Sequence, residues 1–186
     1  MVDPITAWHA EHVQFAKLLD LLETQVAIFH QAEHPNYELM TAIVHYLRAY
    51  SDCIHHPRED VAFKRIGEYE PRYTLVINRL LQEHRVIANA GESLFKYLTE
   101  ASEDVLIPRA ELEAAAATYL VYYRNHLTTE ERDILPAAAR LLTSTDWAQV
   151  ALAAISPTTA AAAFARREQF AELLARIERE ADVSLA

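Results

Sequence analysis

An apolar stripe recurs at alternating steps of three and four residues along four long segments of this chain, and it constrains the fold more than any other feature. In the first segment the stripe runs from Ile5 through Trp8, Phe15 and Leu22 to Phe29. Such spacing is typical of one buried face of an α-helix, and the chain has only 2 glycines to interrupt it. We therefore predict an all-α protein whose main helices cover residues 4–31, 36–66, 71–100 and 108–142.

The connections between these four segments are short, at residues 32–35, 67–70 and 102–107. Long helices joined by short loops must lie antiparallel to their neighbours. The predicted architecture of residues 1–142 is therefore an up-down-up-down four-helix bundle.

Residues 143–186 are expected to form a C-terminal helical extension. A short helix is predicted over 144–155, and Ser156-Pro157 is expected to open a longer, Ala-rich helix that ends near residue 180. Its sparse apolar face comprises Phe164, Phe170, Leu174 and Ile177. We expect this face to dock on the bundle or, alternatively, on a second copy of the chain in a homodimer.

Composition excludes several classes of function. The net charge is -10 without any basic cluster, which argues against binding to nucleic acid or to anionic membranes. No apolar run is long enough to span a bilayer. The single cysteine, Cys53, excludes a disulfide framework and a site made only of cysteines. Since residues 1–4 do not resemble a secretory signal, a cytoplasmic location is expected.

Two helices carry a histidine followed four residues later by a glutamate, His55 with Glu59 and His126 with Glu130. Four residues is about one helical turn, so each pair points from one face of its helix. His12 and His84 interrupt the stripes of the other two helices. Counted from the three turns, these residues differ in height by at most about two helical turns. All six side chains should therefore meet at one level inside the bundle.

A buried layer of four imidazoles and two carboxylates predicts a metal site. Its nitrogen and oxygen donors suit Fe, Mn or Zn. Six protein ligands exceed a single tetrahedral zinc ion, and they fit two metal ions bridged by the carboxylates. The competing interpretation is a structural bundle, because a single histidine on an apolar stripe is usually a core residue that has found a hydrogen-bond partner.

The segment from His55 to Phe63, His-His-Pro-Arg-Glu-Asp-Val-Ala-Phe, resembles the signature of hemerythrin-like, HHE cation-binding domains. The Glu-His dipeptides ending at His12 and His84 and the run from His126 to Glu131 are similar to that family's other motifs. The resemblance covers roughly residues 5–142 and implies a four-helix bundle with an oxo- or carboxylate-bridged pair of Fe ions. The metal ligands that it implies are His12, His55, Glu59, His84, His126 and Glu130.

One departure from the family bears on function. The oxygen-carrying members use five histidines, with a His-x-x-x-His pair on the third helix, whereas Leu80 and Ala88 flank His84 at those positions. The set of four histidines and two glutamates looks more like the bacterial repair and iron-sensing branches. We expect a protein that binds O2 or NO for sensing, storage or detoxification. The alternatives are an enzyme that turns over peroxide or NO, an iron donor for iron–sulfur cluster repair, and a structural bundle with a vestigial site.

Several other residues are candidates for a part in the site. Asp60 and Glu131 are the next-best carboxylates, and Pro57 should kink its helix. We expect His9 to be partly exposed and His56 to lie at the surface or to support the site. His30, His34 and His45 are expected to be solvated. Tyr119, Tyr123 and Cys53 are expected to be buried, and the alternative for the two tyrosines is a hydrogen bond to the site.

Overall fold

The computed structural model describes residues 3–31, 33–103, 105–153 and 160–184, and within the last range it describes the side chains of 168–181. The described residues form α-helices joined by two π-helical segments, one 3-10 turn and short loops. The α-helices are α1 (Pro4–His30), α2 (Tyr37–Tyr46), α3 (His56–Tyr69), α4 (Thr74–Ser102), α5 (Arg109–Thr129), α6 (Leu135–Leu141), α7 (Ser144–Ala153) and α8 (Ala160–Ser184).

The bundle has four rods, as the sequence predicts. The first rod is α1 and the third is α4, while the second joins α2 to α3 and the fourth joins α5 to α6. Helix α5 packs between α1 and α4, and α2 closes the ring by contacting both of them. Among the described residues, no helix combines the length and the apolar character needed to cross a bilayer.

Local sequence signals set the ends of the rods. The Asp3 side chain accepts a hydrogen bond from the Thr6 backbone N–H over 3.0 Å, and Pro4 occupies the first helical position, so α1 begins there. The Asn36 side chain caps α2 through the backbone N–H of Leu39. The second rod ends at Glu70, whose extended backbone is the conformation that a following proline favours.

Each composite rod contains a π-helical segment just before a proline. The segment Leu47–His55 precedes Pro57, and Glu130–Ile134 precedes Pro136. A proline cannot donate a backbone hydrogen bond and its ring crowds the preceding turn, so the α-helical ladder is interrupted at both places. The predicted irregularity at Pro57 is therefore present as a widened turn. This turn brings two consecutive histidines, His55 and His56, into the buried interior.

Two apolar clusters fill the bundle above and below a polar layer. One contains Phe15, Leu19, Ile87 and Leu94, and the other contains Phe63, Ile66, Ile77 and Leu80. Along their rods, His12, Glu59, His84 and Glu130 lie between residues that pack in the two clusters, so apolar packing flanks the polar layer on both sides.

The C-terminal helices dock on the bundle. Helix α7 packs on α3, and α8 packs on α2 through the buried side chains Ile177 and Ala181. Phe170 and Leu174 of the predicted apolar face lie against the core, whereas Phe164 is outside the side chains that the structure describes. The division of the chain at residue 142 and the homodimer remain predictions. The expected burial of Cys53 is wrong, since this residue is exposed.

Candidate metal centre

The six residues expected to bind metal meet in one buried layer. Their exposed fractions range from 0% for Glu59, His126 and Glu130 to 8% for His84. Histidines and carboxylates here form two groups, in each of which one potential ligand atom per residue lies within 4.8 Å of the others. Glu59 belongs to both groups. The members are His12, His55, Glu59 and Glu130 in the first, and His56, Glu59, His84 and His126 in the second.

The first half of the layer is built by α1 and the second rod. The Nε2 atoms of His12 and His55 are 3.0 Å apart. Oε1 of Glu59 lies 2.7 Å from Nε2 of His55 and 3.4 Å from Nε2 of His12. Two imidazole nitrogens and one carboxylate oxygen therefore converge on a common position.

The second half is built by α4 and α5. The Nε2 atoms of His84 and His126 are 3.1 Å apart, and the second oxygen of Glu59, Oε2, is 3.3 Å from Nε2 of His84. Glu130 makes the same kind of connection, with Oε2 3.5 Å from Nε2 of His12 and Oε1 3.3 Å from Nε2 of His126. Each carboxylate thus reaches both histidine pairs, one oxygen to each.

A carboxylate stands behind each of these four histidines. In every case Nε2 faces the layer while Nδ1 meets a carboxylate oxygen, an arrangement that fixes the ring and the tautomer of a metal-binding histidine. These supports are Glu131 for His12 (2.7 Å), Glu11 for His55 (2.5 Å), Asp60 for His84 (2.9 Å) and Glu83 for His126 (3.3 Å). Asp60 and Glu131, the alternative carboxylate ligands, contact the layer through these histidines.

The supporting carboxylates are themselves held by neighbours. Arg58 donates to Glu11 from the turn after His55, and the Tyr50 hydroxyl donates to the same side chain over 2.9 Å. Asn125 donates a hydrogen bond to Glu83 over 3.1 Å, and Glu83 also forms an ion pair with Arg79. The histidine rings are therefore oriented from outside the layer as well as by packing.

The two central carboxylates, Glu59 and Glu130, lack hydrogen-bond partners for most of their oxygens. Oε2 of Glu59 and both carboxylate oxygens of Glu130 are buried without a hydrogen-bond partner. A buried carboxylate without compensation costs several kcal/mol, and such groups are normally paired with cations or bound to metal. These orphaned oxygens face the histidine nitrogens, so the donor set fits positive metal ions at its centre.

Without metal, protons balance the charge of the layer. Burial lowers the pKa of His12, but hydrogen bonds to Glu131 and Glu59 outweigh it and raise the pKa to about 10. Burial also lowers the pKa of His126, but the nearby charge of Glu130 outweighs it and raises the pKa to about 10. Burial also opposes ionisation of Glu59, yet the neighbouring charge of His55 holds the pKa of Glu59 well below its usual range. The pKa shifts of His12 and His126 favour positively charged imidazoles next to an ionised Glu59.

His56 was expected from the helical period to lie at the surface or to support the site. It is 5% exposed, so a surface position is wrong. Its ring stacks on His84 with centroids 4.1 Å apart and planes inclined by 14°. The lone pair of an imidazole nitrogen lies in the plane of the ring. Two rings stacked in nearly parallel planes therefore do not direct their lone pairs to one common metal ion. His56 instead meets Ser51 Oγ through Nε2 at 3.0 Å, a contact that favours a supporting role.

The other candidate residues lie in different surroundings. His9 is partly exposed, as expected, and contacts Glu131 at 3.0 Å. His30, His34 and His45 are exposed. Tyr119 and Tyr123 are buried core residues, and the Tyr123 hydroxyl donates to Ser51 Oγ over 2.6 Å. Trp8, read from the sequence only as an apolar stripe residue, donates its indole N–H to Oε1 of Glu59 over 2.7 Å.

The fold and the layer together define a helical-bundle protein with two buried His/Glu clusters, consistent with a binuclear metal site. Comparison with known families agrees. The model of the hemerythrin HHE cation-binding domain matches residues 3–138, and the chain belongs to this family. No curated protein matches the chain.

Proposed function

We propose that the protein holds two iron ions in this layer and binds a small diatomic ligand, O2 or NO, at them. One observation carries the proposal: Glu59 and Glu130 each extend one oxygen toward each histidine pair, and three of these four oxygens are buried without a hydrogen-bond partner. A carboxylate in that position serves as a bridge between two metal ions.

The proposed ligand set leaves room for a small molecule. One ion would take Nε2 of His12 and His55, and the other would take Nε2 of His84 and His126. With one oxygen from each of Glu59 and Glu130, each ion would have four protein donors. Iron in nitrogen and oxygen sites commonly takes up to six ligands, so coordination positions stay open.

Charge supports a pair of divalent ions. Glu59 and Glu130 supply two negative charges within the layer, and four further carboxylates stand behind the histidines. Metal binding would displace any proton from the histidine nitrogens that it uses, because a coordinated imidazole must be neutral. The donor set contains no thiolate and also fits Mn or Zn, so the choice of iron rests on membership of the family.

The proposed role toward O2 or NO is based on the number and kind of metal donors in the site. Four histidines and two glutamates, rather than five histidines, would supply the donors. The one further histidine among the described residues of the layer, His56, stacks on His84. A site with one histidine fewer would leave more coordination positions open. This favours a sensing, storage or detoxifying role over simple reversible carriage of O2.

Anaerobic loading with ferrous iron tests the proposal. We expect about two irons per chain and, after oxidation, near-ultraviolet absorption bands from oxygen donors on iron. Parallel loadings with Mn and Zn determine which metal the site selects. A chain that takes up none of these metals would refute the proposal.

Rapid mixing then identifies the ligand chemistry. The reduced, iron-loaded protein is mixed with NO, O2 or peroxide in separate experiments. A stable adduct that dissociates on removing the gas supports ligand binding. Repeated consumption of peroxide or NO by catalytic amounts of protein would replace the binding role with an enzymatic one, and transfer of iron to an apo iron–sulfur protein would indicate repair.

A further inference from the structure

A pair of tryptophans joins the metal centre to the segment that follows the family domain. Trp8 in α1 is 6% exposed, and its Nε1 lies 2.7 Å from Oε1 of Glu59 and 3.2 Å from Nε2 of His55. The shorter contact, to a charged acceptor, is the stronger one. When His55 binds metal through Nε2, that nitrogen has no lone pair left to accept a hydrogen bond. The indole N–H then belongs to Glu59 alone.

Helix α7 packs against the outer side of this indole. The rings of Trp8 and Trp147 meet edge to face, with centroids 5.7 Å apart and planes inclined by 80°. Val150, one turn further along α7, is 5% exposed and joins Trp8 and Ala62 in a small apolar cluster. Trp8 is therefore held between the bundle and α7.

Polar contacts fix α7 in this position. Asp146 is buried and accepts hydrogen bonds from Thr143, through its backbone N–H at 2.9 Å and its hydroxyl at 2.7 Å. The Tyr69 hydroxyl of α3 donates to the same carboxylate over 3.0 Å, and Arg65 of α3 pairs with it at 3.4 Å. The start of α7 is thus tied to the rod that carries Glu59.

We propose that α7 serves the metal centre, because it holds the indole N–H of Trp8 on the bridging carboxylate Glu59. The match to the family model ends at residue 138 and α7 begins at Ser144, so this support comes from outside the matched residues. Trp8 and Trp147 are positioning residues in this arrangement. The inference rests on the proposed metal centre.

Two measurable properties depend on this hydrogen bond. It fixes the orientation of the carboxylate, so its loss should speed the release of metal. It also draws negative charge away from the oxygen that faces the metal. Without it, the carboxylate donates more strongly, stabilises the oxidised metal and lowers the reduction potential.

The test uses the full chain with Trp8→Phe, which keeps an aromatic ring and removes the N–H. The variant and the wild type are loaded with ferrous iron, and iron release to a chelator and the reduction potential are measured. We expect two irons in both proteins, release about 10-fold faster in the variant, and a lower potential. Release and potential equal to wild type would overturn the inference. Failure of the wild type itself to bind metal would instead overturn the proposed function.

Tyr97→Phe is the matched control. The Tyr97 hydroxyl also donates to a glutamate on a neighbouring helix, Glu111, over 2.9 Å, but this pair lies outside the metal layer. Removing it should leave iron release and potential unchanged. If Tyr97→Phe accelerates release as much as Trp8→Phe does, the effect is a general loss of stability and the inference fails.

Trp147→Leu tests the contribution of α7. This substitution keeps the indole N–H of Trp8 but removes the ring that supports it, so release and potential should shift in the same direction as in Trp8→Phe and by less. Because Trp147 acts through Trp8, the double variant should release iron no faster than Trp8→Phe alone. Additive effects would overturn the role of α7. If Trp8→Phe does not fold, an unchanged release rate in Trp147→Leu alone overturns it.

Discussion

The Tyr123 hydroxyl donates a hydrogen bond to Ser51 Oγ over 2.6 Å, and both side chains are completely buried. This bond joins the fourth rod to the π-helical segment of the second rod, immediately below the metal layer. Burial raises the pKa of Tyr123 well above its usual value, so the hydroxyl remains a donor at any physiological pH.

Tyr123→Phe should therefore lower the free energy of unfolding by about 1 kcal/mol, because one buried hydrogen bond is lost without any change of ring volume. Chemical denaturation of the metal-free protein measures this loss. The number of metal ions bound should stay at the wild-type value. Tyr122→Phe is the control, since Tyr122 is 40% exposed and its loss should have little effect. Loss of one or both metals in Tyr123→Phe would mean that the hydroxyl acts on the site directly.

Neighbouring glutamates offer a test of the ligand set. Glu130→Gln removes a bridging oxygen from the layer, so we expect fewer than two metals per chain and strongly reduced affinity. Glu131→Gln changes only the support behind His12, so it should keep two metals and weaken affinity by about 10- to 100-fold. Metal analysis after gel filtration and competitive titration with a chelator separate the two effects. The assignment fails if Glu131→Gln loses metal while Glu130→Gln retains it.

The sequence predicted the rods and the level of the six candidate ligands, because the rise per residue in a helix is uniform and prolines mark where helices stop. Two expectations are wrong: the surface alternative for His56 and the burial of Cys53. Both belong to the turn before Pro57, where the π-helical segment adds a residue and the 3.6-residue period no longer tells which face a side chain occupies. The proline was the one signal for this irregularity.

The link from Trp8 to Glu59 was also hidden from the sequence. The two residues are 51 positions apart, and a tryptophan on an apolar stripe is indistinguishable from ordinary core. The same holds for Trp147, whose contact with Trp8 depends on how α7 folds back onto α3. Hydrophobic periodicity predicts which face of a helix is buried. It does not identify the acceptor of a hydrogen bond from a buried N–H group.

The two glycines of the chain should respond oppositely to alanine. A Cβ at Gly91 would lie 2.8 Å from Cε2 of Tyr119, a buried ring with no room to retreat, so Gly91→Ala should destabilise the fold by about 1–3 kcal/mol. A Cβ at Gly67 would meet only Ile77 Cδ1, at 3.6 Å. Gly67→Ala should therefore stabilise α3, by up to about 1 kcal/mol. Denaturant unfolding of both variants measures the difference, and equal effects would contradict the close approach at Gly91.

Removing metal should lower the stability of the fold. An ion that binds only the folded chain stabilises it by mass action, by about 2.7 kcal/mol at a free concentration 100 times the dissociation constant. Thermal unfolding with ferrous iron and then with excess chelator should therefore give a higher Tm in the first case. Glu130→Gln provides the control, because a chain that cannot hold both ions should show a smaller difference. Equal Tm values for the loaded and metal-free wild type would contradict a site formed only on folding.

The buried carboxyl of Asp146 should make the stability that α7 contributes to the fold depend on pH. Hydrogen bonds from Thr143 lower the pKa of Asp146 below its ordinary value of 3.8, and the Tyr69 hydroxyl adds to this effect. A carboxyl whose pKa is lower in the folded state contributes stability above its unfolded pKa and loses it as the pH falls through the folded value. Asp146→Asn should therefore unfold more easily than wild type at pH 7, and this difference should shrink as the pH falls below 3.8. Denaturant midpoints measured from pH 7 to pH 3 test the prediction, and a difference that grows toward low pH would contradict it.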